Sequence, residues 1–284
     1  MRDAARILND LLAGLSLRAA SVIVTIYGDI VVPRGGTLWM GTLIQICADL
    51  GLSETLVRTA VSRLVAAGQL TGMREGRRSF YQLAEAAEEE FAAAAELLYG
   101  REQPAEGWAI HRCELPNDII RKSSLARIGP DLYLRPRHRG EKIALPGLSF
   151  TAEVNGGSEF LPEYIASLWD LEALSAGYRR FIDHFEPVDR ALQSGIRLDG
   201  RRAVAVRLLL VHVYRSVLLR DPRLPGEALP ANWPAPEARA LFARLYRALT
   251  PNAESYIAQN HENALGLLPE KTPATIQRLN SLNA

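Results

Sequence analysis

The chain has 284 residues, 48% of them hydrophobic and 23% charged, with a formal net charge of +1. That composition fits a globular protein of roughly two domains, and it excludes nucleic-acid binding through a global basic field, so any such site must be a local patch. Two isolated cysteines, Cys47 and Cys113, supply neither a disulfide framework nor a zinc-ligand spacing, which points to a reducing cytoplasm.

The N-terminal stretch carries Asp3 and Asp10 and lacks the basic–apolar–small pattern of a signal peptide. Residues 16–32, SLRAASVIVTIYGDIVV, predict a first helix with Ser16 as its cap, ending near Pro33 and Gly35-Gly36. From Thr37 to Leu83 the order is two short helical patterns separated by a tight turn, then an arginine-bearing hairpin. Cys47 lies inside the first of these apolar patterns, where a free cysteine acts as a small hydrophobe. Helix, turn, helix and wing is the order in which proteins set one helix in the DNA major groove with a hairpin beside it.

The second of these helices, Ser53 to Ala67, can be turned by about 100° per residue. Leu56, Val57, Ala60, Val61 and Leu64 then cluster on a packing face, and Thr55, Arg58, Thr59 and Ser62 fall opposite, with Arg63 flanking. Ser53 is the expected N-cap. Arginine addresses guanine O6 and N7, and Thr or Ser reach phosphates and thymine methyls. In the hairpin, Glu75-Gly76 is expected as a two-residue turn, placing Arg74, Arg77 and Arg78 around the tip. Five arginines and one acid between Thr55 and Gln82 give a local +4, suited to neutralising phosphates.

Glu85 to Gly100, rich in alanine and glutamate, predicts a connecting helix ending at glycine. Residues 101–157 change texture: GWAIHRCEL, DLYLRP and SFTAEV read as strands and NDIIRKSSLARI as a helix. Helical patterns return at 160–185, 201–220, 236–249 and 252–265, with prolines 222, 225, 230, 234 and 236 marking one ordered connection. The apolar run Ala203 to Leu219 is interrupted by Arg207, His212 and Arg215, so it reads as a buried helix and no membrane partner is expected. The expected class is α+β, mostly helical, with residues 1–100 reading DNA, a small module at 101–157, and a helical effector or dimerisation domain at 158–284.

No His-Glu-x-x-His, GxxxxGK, GxSxG or GxGxxG motif is present, and no cofactor is expected. His111 and Cys113 share a strand face, but a third orienting group is not visible beside them, and ordinary packing is the better reading.

At these residues the chain resembles the PaaX family, bacterial repressors of phenylacetate catabolism. LVRTAVSRLVAAGQLTGMREGRRSFYQL is similar to that family's winged helix, and GDIVVPRGGTLWMGTLI to its lead-in. LWDLEALSAGYRRFIDHFEPV (168–188) and RLLLVHVYRSVLLRDPRLPGEALPANWP (207–234) resemble its C-terminal domain. GWAIHRCELPNDIIRKSSLARIGPDLYLRPR looks like a version of its ferredoxin-like (Cas2-like) middle module, with a shortened helix between the first two strands.

The resemblance implies a homodimeric repressor that binds double-stranded DNA at an inverted-repeat operator and is released by an acyl-CoA effector, phenylacetyl-CoA. Candidate residues for such an effector are Trp169, Tyr178, Arg179, His212, Tyr214, Arg215, Arg220 and Trp233, with Arg180, Arg201, Arg202 and Arg207 as further phosphate partners. A mid-helix histidine such as His212 is more often a hydrogen-bonded core residue, Arg220-Asp221-Pro222 also suits a helix end, and Trp233 is equally suited to packing. The alternative is a metal-dependent nuclease built on the middle module, with Glu114 and Asp118 as its acids.

Overall fold

The computed structural model describes residues 2–103, 105–116, 120, 124–140 and 145–282. The chain is a mostly helical α+β protein. It divides into two units: the first joins Met1–Arg101, Phe181–Arg215 and Glu237–Ala284, and the second joins Glu102–Arg180 and Ser216–Pro236. This departs from the three consecutive domains expected at 1–100, 101–157 and 158–284. The reason lies in the side chains, because the later helices carry the partners for apolar and charged groups near the N-terminus.

In the first unit, helices α1 (Arg2–Ala13) and α2 (Ala19–Ile26) precede a π turn, Tyr27–Val31, and a 3-10 turn, Val32–Arg34. Arg18, not Ser16, is the residue preceding α2, and it makes no side-chain cap. Ile23, Ile26, Tyr27, Ile30 and Val31 are completely buried, which explains a β-branched run that stays helical: packing overrides propensity. Strand β1 (Thr37–Trp39), helices α3 (Met40–Asp49) and α4 (Glu54–Ala66), strands β2 (Leu70–Glu75) and β3 (Arg78–Leu83), and helix α5 (Glu85–Tyr99) follow. The strands form an antiparallel sheet of order β1-β3-β2. Gly51, at φ +78°, makes the turn between α3 and α4, where the Leu52 amide donates to the Cys47 carbonyl at 3.0 Å. The Cys47 thiol is buried, which pushes its pKa up to about 12 and leaves it inert.

The second unit holds an antiparallel sheet of order β5-β6-β4-β7, made of β4 (Ala105–Arg112), β5 (Ala126–Arg127), β6 (Leu132–His138) and β7 (Leu148–Ala152). The three expected strands are present. The expected helix NDIIRKSSLARI lies partly outside the described residues, and its end, Ala126–Arg127, is a strand paired to β6.

Helix α6 (Leu161–Leu168) ends at Trp169, and α7 (Leu171–Gln193) starts where Asp170 accepts from the Ala173 amide at 2.9 Å. That local cap explains why 160–185 is two helices. Helix α8 (Gly200–Leu218) begins at Asp199, whose carboxylate accepts from the Arg202 amide. Helix α9 (Ala235–Asn260) runs through Pro251, where the sequence had suggested a break. Buried residues on both sides, Leu245 to Ile257, hold it together despite the missing amide. A short hairpin, β8 (Glu262–Asn263) and β9 (Gly266–Leu267), replaces the expected end of the last helical segment, and α10 (Pro273–Ser281) follows with a capping box at Thr272 and Thr275.

The first unit is tied together by an aromatic row and a buried charge network. Tyr214 stacks on Phe242 with centroids 4.4 Å apart, and Tyr99 meets Tyr246 at 5.2 Å. Asp29 Oδ1 accepts from the Tyr99 and Tyr246 hydroxyls at 3.0 and 2.9 Å, and Oδ2 from Arg207 Nε at 3.1 Å. Arg207 Nη1 donates to Glu254 Oε1 at 2.6 Å, and Arg34 pairs with Glu254 Oε2. Arg278 donates to the Asp29 and Gly28 carbonyls. Burial pushes the Asp29 carboxyl up, but Arg207, Arg278 and the two tyrosine hydroxyls outweigh it and hold it below its ordinary value.

Two histidines of this unit are kept neutral. Burial, then the Arg34 and Arg207 charges, push His261 down to about 4, and burial with Arg215 does the same to His212. The unfolded chain takes up both protons near pH 6.5 while the fold resists them until about pH 4. Their contribution is therefore complete above pH 6.5 and is lost as pH falls toward 4. Stability should drop by up to about 2.7 kcal/mol per pH unit within that window. Urea unfolding of the wild type and of a His212→Gln/His261→Gln variant checks this; an equal slope in both would remove the histidines as its cause.

Candidate nucleic-acid interface

Helix α4 begins at Ser53, whose Oγ accepts the Leu56 amide at 3.4 Å, as the sequence predicted. Val57, Ala60, Val61 and Leu64 are buried, and α2 and α3 pack against this helix. Thr55, Arg58, Thr59, Ser62 and Arg63 are exposed. Leu56 corrects the sequence reading: it is 55% exposed and does not belong to the packing face. It sits at the shoulder of the buried stripe, within a turn of the N-cap, beside the fully buried Val57. Thr59 Oγ1 donates to the Thr55 carbonyl at 2.9 Å, and Arg58 is ion-paired to Glu54 one turn back at 2.7 Å.

In the hairpin, β2 ends at Glu75 and β3 begins at Arg78, so the two turn residues are Gly76 and Arg77, one position later than expected. Gly76 takes φ +57° at the first central position, the glycine position of a type II′ turn. Arg74 and Arg77 are exposed at this tip, with Arg74 Nε donating to the Gly76 carbonyl. Arg78 is held differently: its guanidinium lies 4.5 Å from the Trp39 ring centroid and donates to Glu262 Oε2 at 2.7 Å. Glu54 and Glu262 thus stand against two of the five arginines, reducing the local charge below the +4 that the segment alone carries. Trp39 and Glu262 were missed by sequence reasoning.

The eight effector candidates divide between the two units. His212, Tyr214 and Arg215 lie in the first unit; Trp169, Tyr178, Arg179, Arg220 and Trp233 lie in the second. His212 Nδ1 is 2.9 Å from Thr25 Oγ1, Tyr214 is in the aromatic row, and burial pushes the Arg215 guanidinium down. Tyr178 donates to Asp221 Oδ2 at 2.7 Å and meets Trp233 edge-on; Trp169 packs with Trp108 at 6.2 Å. Arg220 Nε donates to the Ser216 carbonyl at the end of α8, and Arg179 is exposed. Of the further arginines, Arg201 and Arg202 pair with Asp49 and Asp199, and Arg207 is fully buried in the Asp29–Glu254 network. Of these twelve residues Tyr178, Tyr214 and Arg207 are buried, and Arg179, Arg180, Arg201 and Arg220 are exposed.

For the nuclease alternative, Glu114 is exposed and Asp118 lies outside the described residues. Among the described residues no three of His, Cys, Asp or Glu are grouped to hold a metal ion. His111 is buried and its pKa is lowered by burial and Arg135. Cys113 sits in an apolar cluster with Leu125 and Tyr133, and its thiol is pushed up by burial and Asp131. No helix among the described residues is long and apolar enough to cross a membrane.

Fold and site together define a mostly helical α+β protein that presents arginines on one helix face and at a hairpin tip. The model of the family described as PaaX-like protein matches residues 18–87, and that of the PaaX-like protein C-terminal domain matches residues 169–259. The transcriptional repressor PaaX of Escherichia coli (strain K12) is 32% identical over 287 residues, covering 93% of this chain and 90% of that protein. The chain belongs to the PaaX family. A solved structure of an uncharacterized protein from Mycobacterium tuberculosis shares the fold, with a TM-score of 0.52 at 21% identity, covering 84% of this chain and 99% of that one.

Proposed function

We propose that this chain is a transcriptional repressor that binds an inverted-repeat operator as a homodimer in the cytoplasm. Helices α3 and α4 serve as the helix–turn–helix and β2–β3 as the wing. The observation that carries this reading is the exposed Thr55, Arg58, Thr59, Ser62 and Arg63 of α4 followed directly by a hairpin with Arg74 and Arg77 at its tip, in a chain related to a protein named as a transcriptional repressor. The β1-β3-β2 order supports the wing, and the β5-β6-β4-β7 order, with all neighbours antiparallel, supports a ferredoxin-like middle module.

Release from DNA is assigned to an acyl-CoA, phenylacetyl-CoA, on the strength of the family resemblance. Such an effector must bind the DNA-incompetent state more tightly than the competent one, since equal affinity shifts nothing. A gel-shift titration on the duplex upstream of the chain's own reading frame tests the whole reading. Binding should be lost on adding phenylacetyl-CoA and kept with phenylacetate or free CoA. Arg77→Ala should lower the salt slope of duplex binding by about 0.9, one phosphate contact. Failure to bind any duplex would end the repressor reading, and insensitivity to the thioester would end the effector assignment.

A further inference from the structure

Exposed large apolar residues are concentrated in one stretch of the second unit. Leu148, Phe150, Val154, Phe160 and Tyr164 are all 41–66% exposed within seventeen positions of sequence. Scattered exposed leucines need no explanation, but a clustered patch does. Part of this patch forms the wall of a cleft of about 370 Å³ between the β4–β6 sheet face, the Glu153–Gly157 segment and α6. Trp108, Ile110, Leu134, Phe160, Leu161 and Tyr164 supply its apolar walls. The volume lies at the small end of ligand sites, roughly 300–1,000 Å³.

Two features of the cleft restrict what it holds. Trp108 is 3% exposed, and among the described residues its indole N–H has no acceptor. A buried donor without a partner carries a desolvation cost, which an acceptor on a ligand would recover. Among the described lining residues Glu153 alone is charged, and none is a cation. A buried carboxylate would find no counter-ion among them, and Glu153 would repel it.

We infer that this cleft is a binding site for a small, flat, uncharged molecule or group with one carbonyl-type acceptor, its ring against Phe160 and Tyr164 and its oxygen receiving the Trp108 N–H. This deepens the reading of the chain as a ligand-released regulator, and a binding assay without DNA separates the two. Saturation-transfer NMR on the full-length protein would compare benzamide, the isosteric anion benzoate, and toluene, which lacks the acceptor. Benzamide should bind at least tenfold more tightly than benzoate. Ala152→Trp, filling the cleft from β7, should abolish binding of benzamide and toluene alike. Trp108→Phe should weaken benzamide about fivefold while leaving toluene unchanged; a merely structural role for the tryptophan would move both.

Benzoate binding as well as benzamide, or undiminished binding to the Ala152→Trp variant, would overturn the inference. So would a change of oligomeric state on Ala152→Trp in a protein that binds none of the probes, because that places a second copy of the chain on this face. Occupation of the cleft with no effect on duplex affinity would keep the site and reject its link to DNA release. Release of DNA by a ligand that binds the filled variant equally well would do the reverse.

Discussion

Arg207→Ala is expected to destabilise the protein by about 3–5 kcal/mol, the cost of removing one partner from a buried ion pair. Arg207 is 0% exposed, and its guanidinium holds Asp29 Oδ2 at 3.1 Å and Glu254 Oε1 at 2.6 Å. Without it, Asp29 keeps the Tyr99 and Tyr246 hydroxyls on Oδ1, and Oδ2 is left buried and unpaired. Glu254 keeps only Arg34, whose own guanidinium is pushed down to about 10 by burial and the neighbouring Arg207 charge. An Asp29→Asn/Arg207→Met variant should recover a substantial part of the loss, because it removes both charges while keeping most of the volume. Urea unfolding monitored by circular dichroism supplies the numbers. A loss below about 1 kcal/mol for Arg207→Ala would put the pair in the range of an exposed salt bridge and refute its role.

This network reaches the proposed DNA-reading face through packing. Asp29 lies in the π turn that continues α2, and α2 packs against α4. The partners come from α8, α9 and α10, so the later helices fix the platform on which α4 stands. That is the physical reason why the C-terminal segments share a unit with the N-terminal one.

What was legible in the sequence was local. The α4 cap at Ser53, its Val57, Ala60, Val61 and Leu64 stripe, and the hairpin with its glycine all follow from periodicity and turn chemistry within some thirty residues. Errors of one position were also local: Gly76-Arg77 turns instead of Glu75-Gly76, and Leu56 falls outside the core because a helical wheel alone does not say how wide the partner surface is. What could not be read was long-range. Arg207 resembles a phosphate ligand in a linear reading because Asp29 and Glu254 stand 178 and 47 residues away. Arg78 looked free because Glu262 lies 184 residues downstream. Trp39, which packs under that arginine, carries no motif at all. The cleft beside Trp108 was similarly invisible, since its walls come from three strands and a helix that sequence reasoning treated one at a time.

Arg58→Ala should cost about 1–3 kcal/mol of operator affinity, a loss of roughly 5- to 150-fold, if the guanidinium reads a guanine edge. The structure sets a competitor against that contact: the Glu54 carboxylate, paired with Arg58 at 2.7 Å with both side chains more than half exposed. An exposed i,i+4 pair is worth about 0.3–0.5 kcal/mol, so a bidentate contact to guanine outweighs it and the arginine should exchange partners on binding. Glu54→Gln is therefore expected to strengthen binding to operator and random duplex alike, by removing both the competitor and a charge that repels phosphates. Parallel titrations on the two duplexes at fixed salt distinguish the roles. A loss confined to the operator assigns Arg58 to base reading, and equal losses on both assign it to the phosphate backbone. No loss on either duplex would take the exposed face of α4 out of the interface and leave the hairpin arginines to carry it.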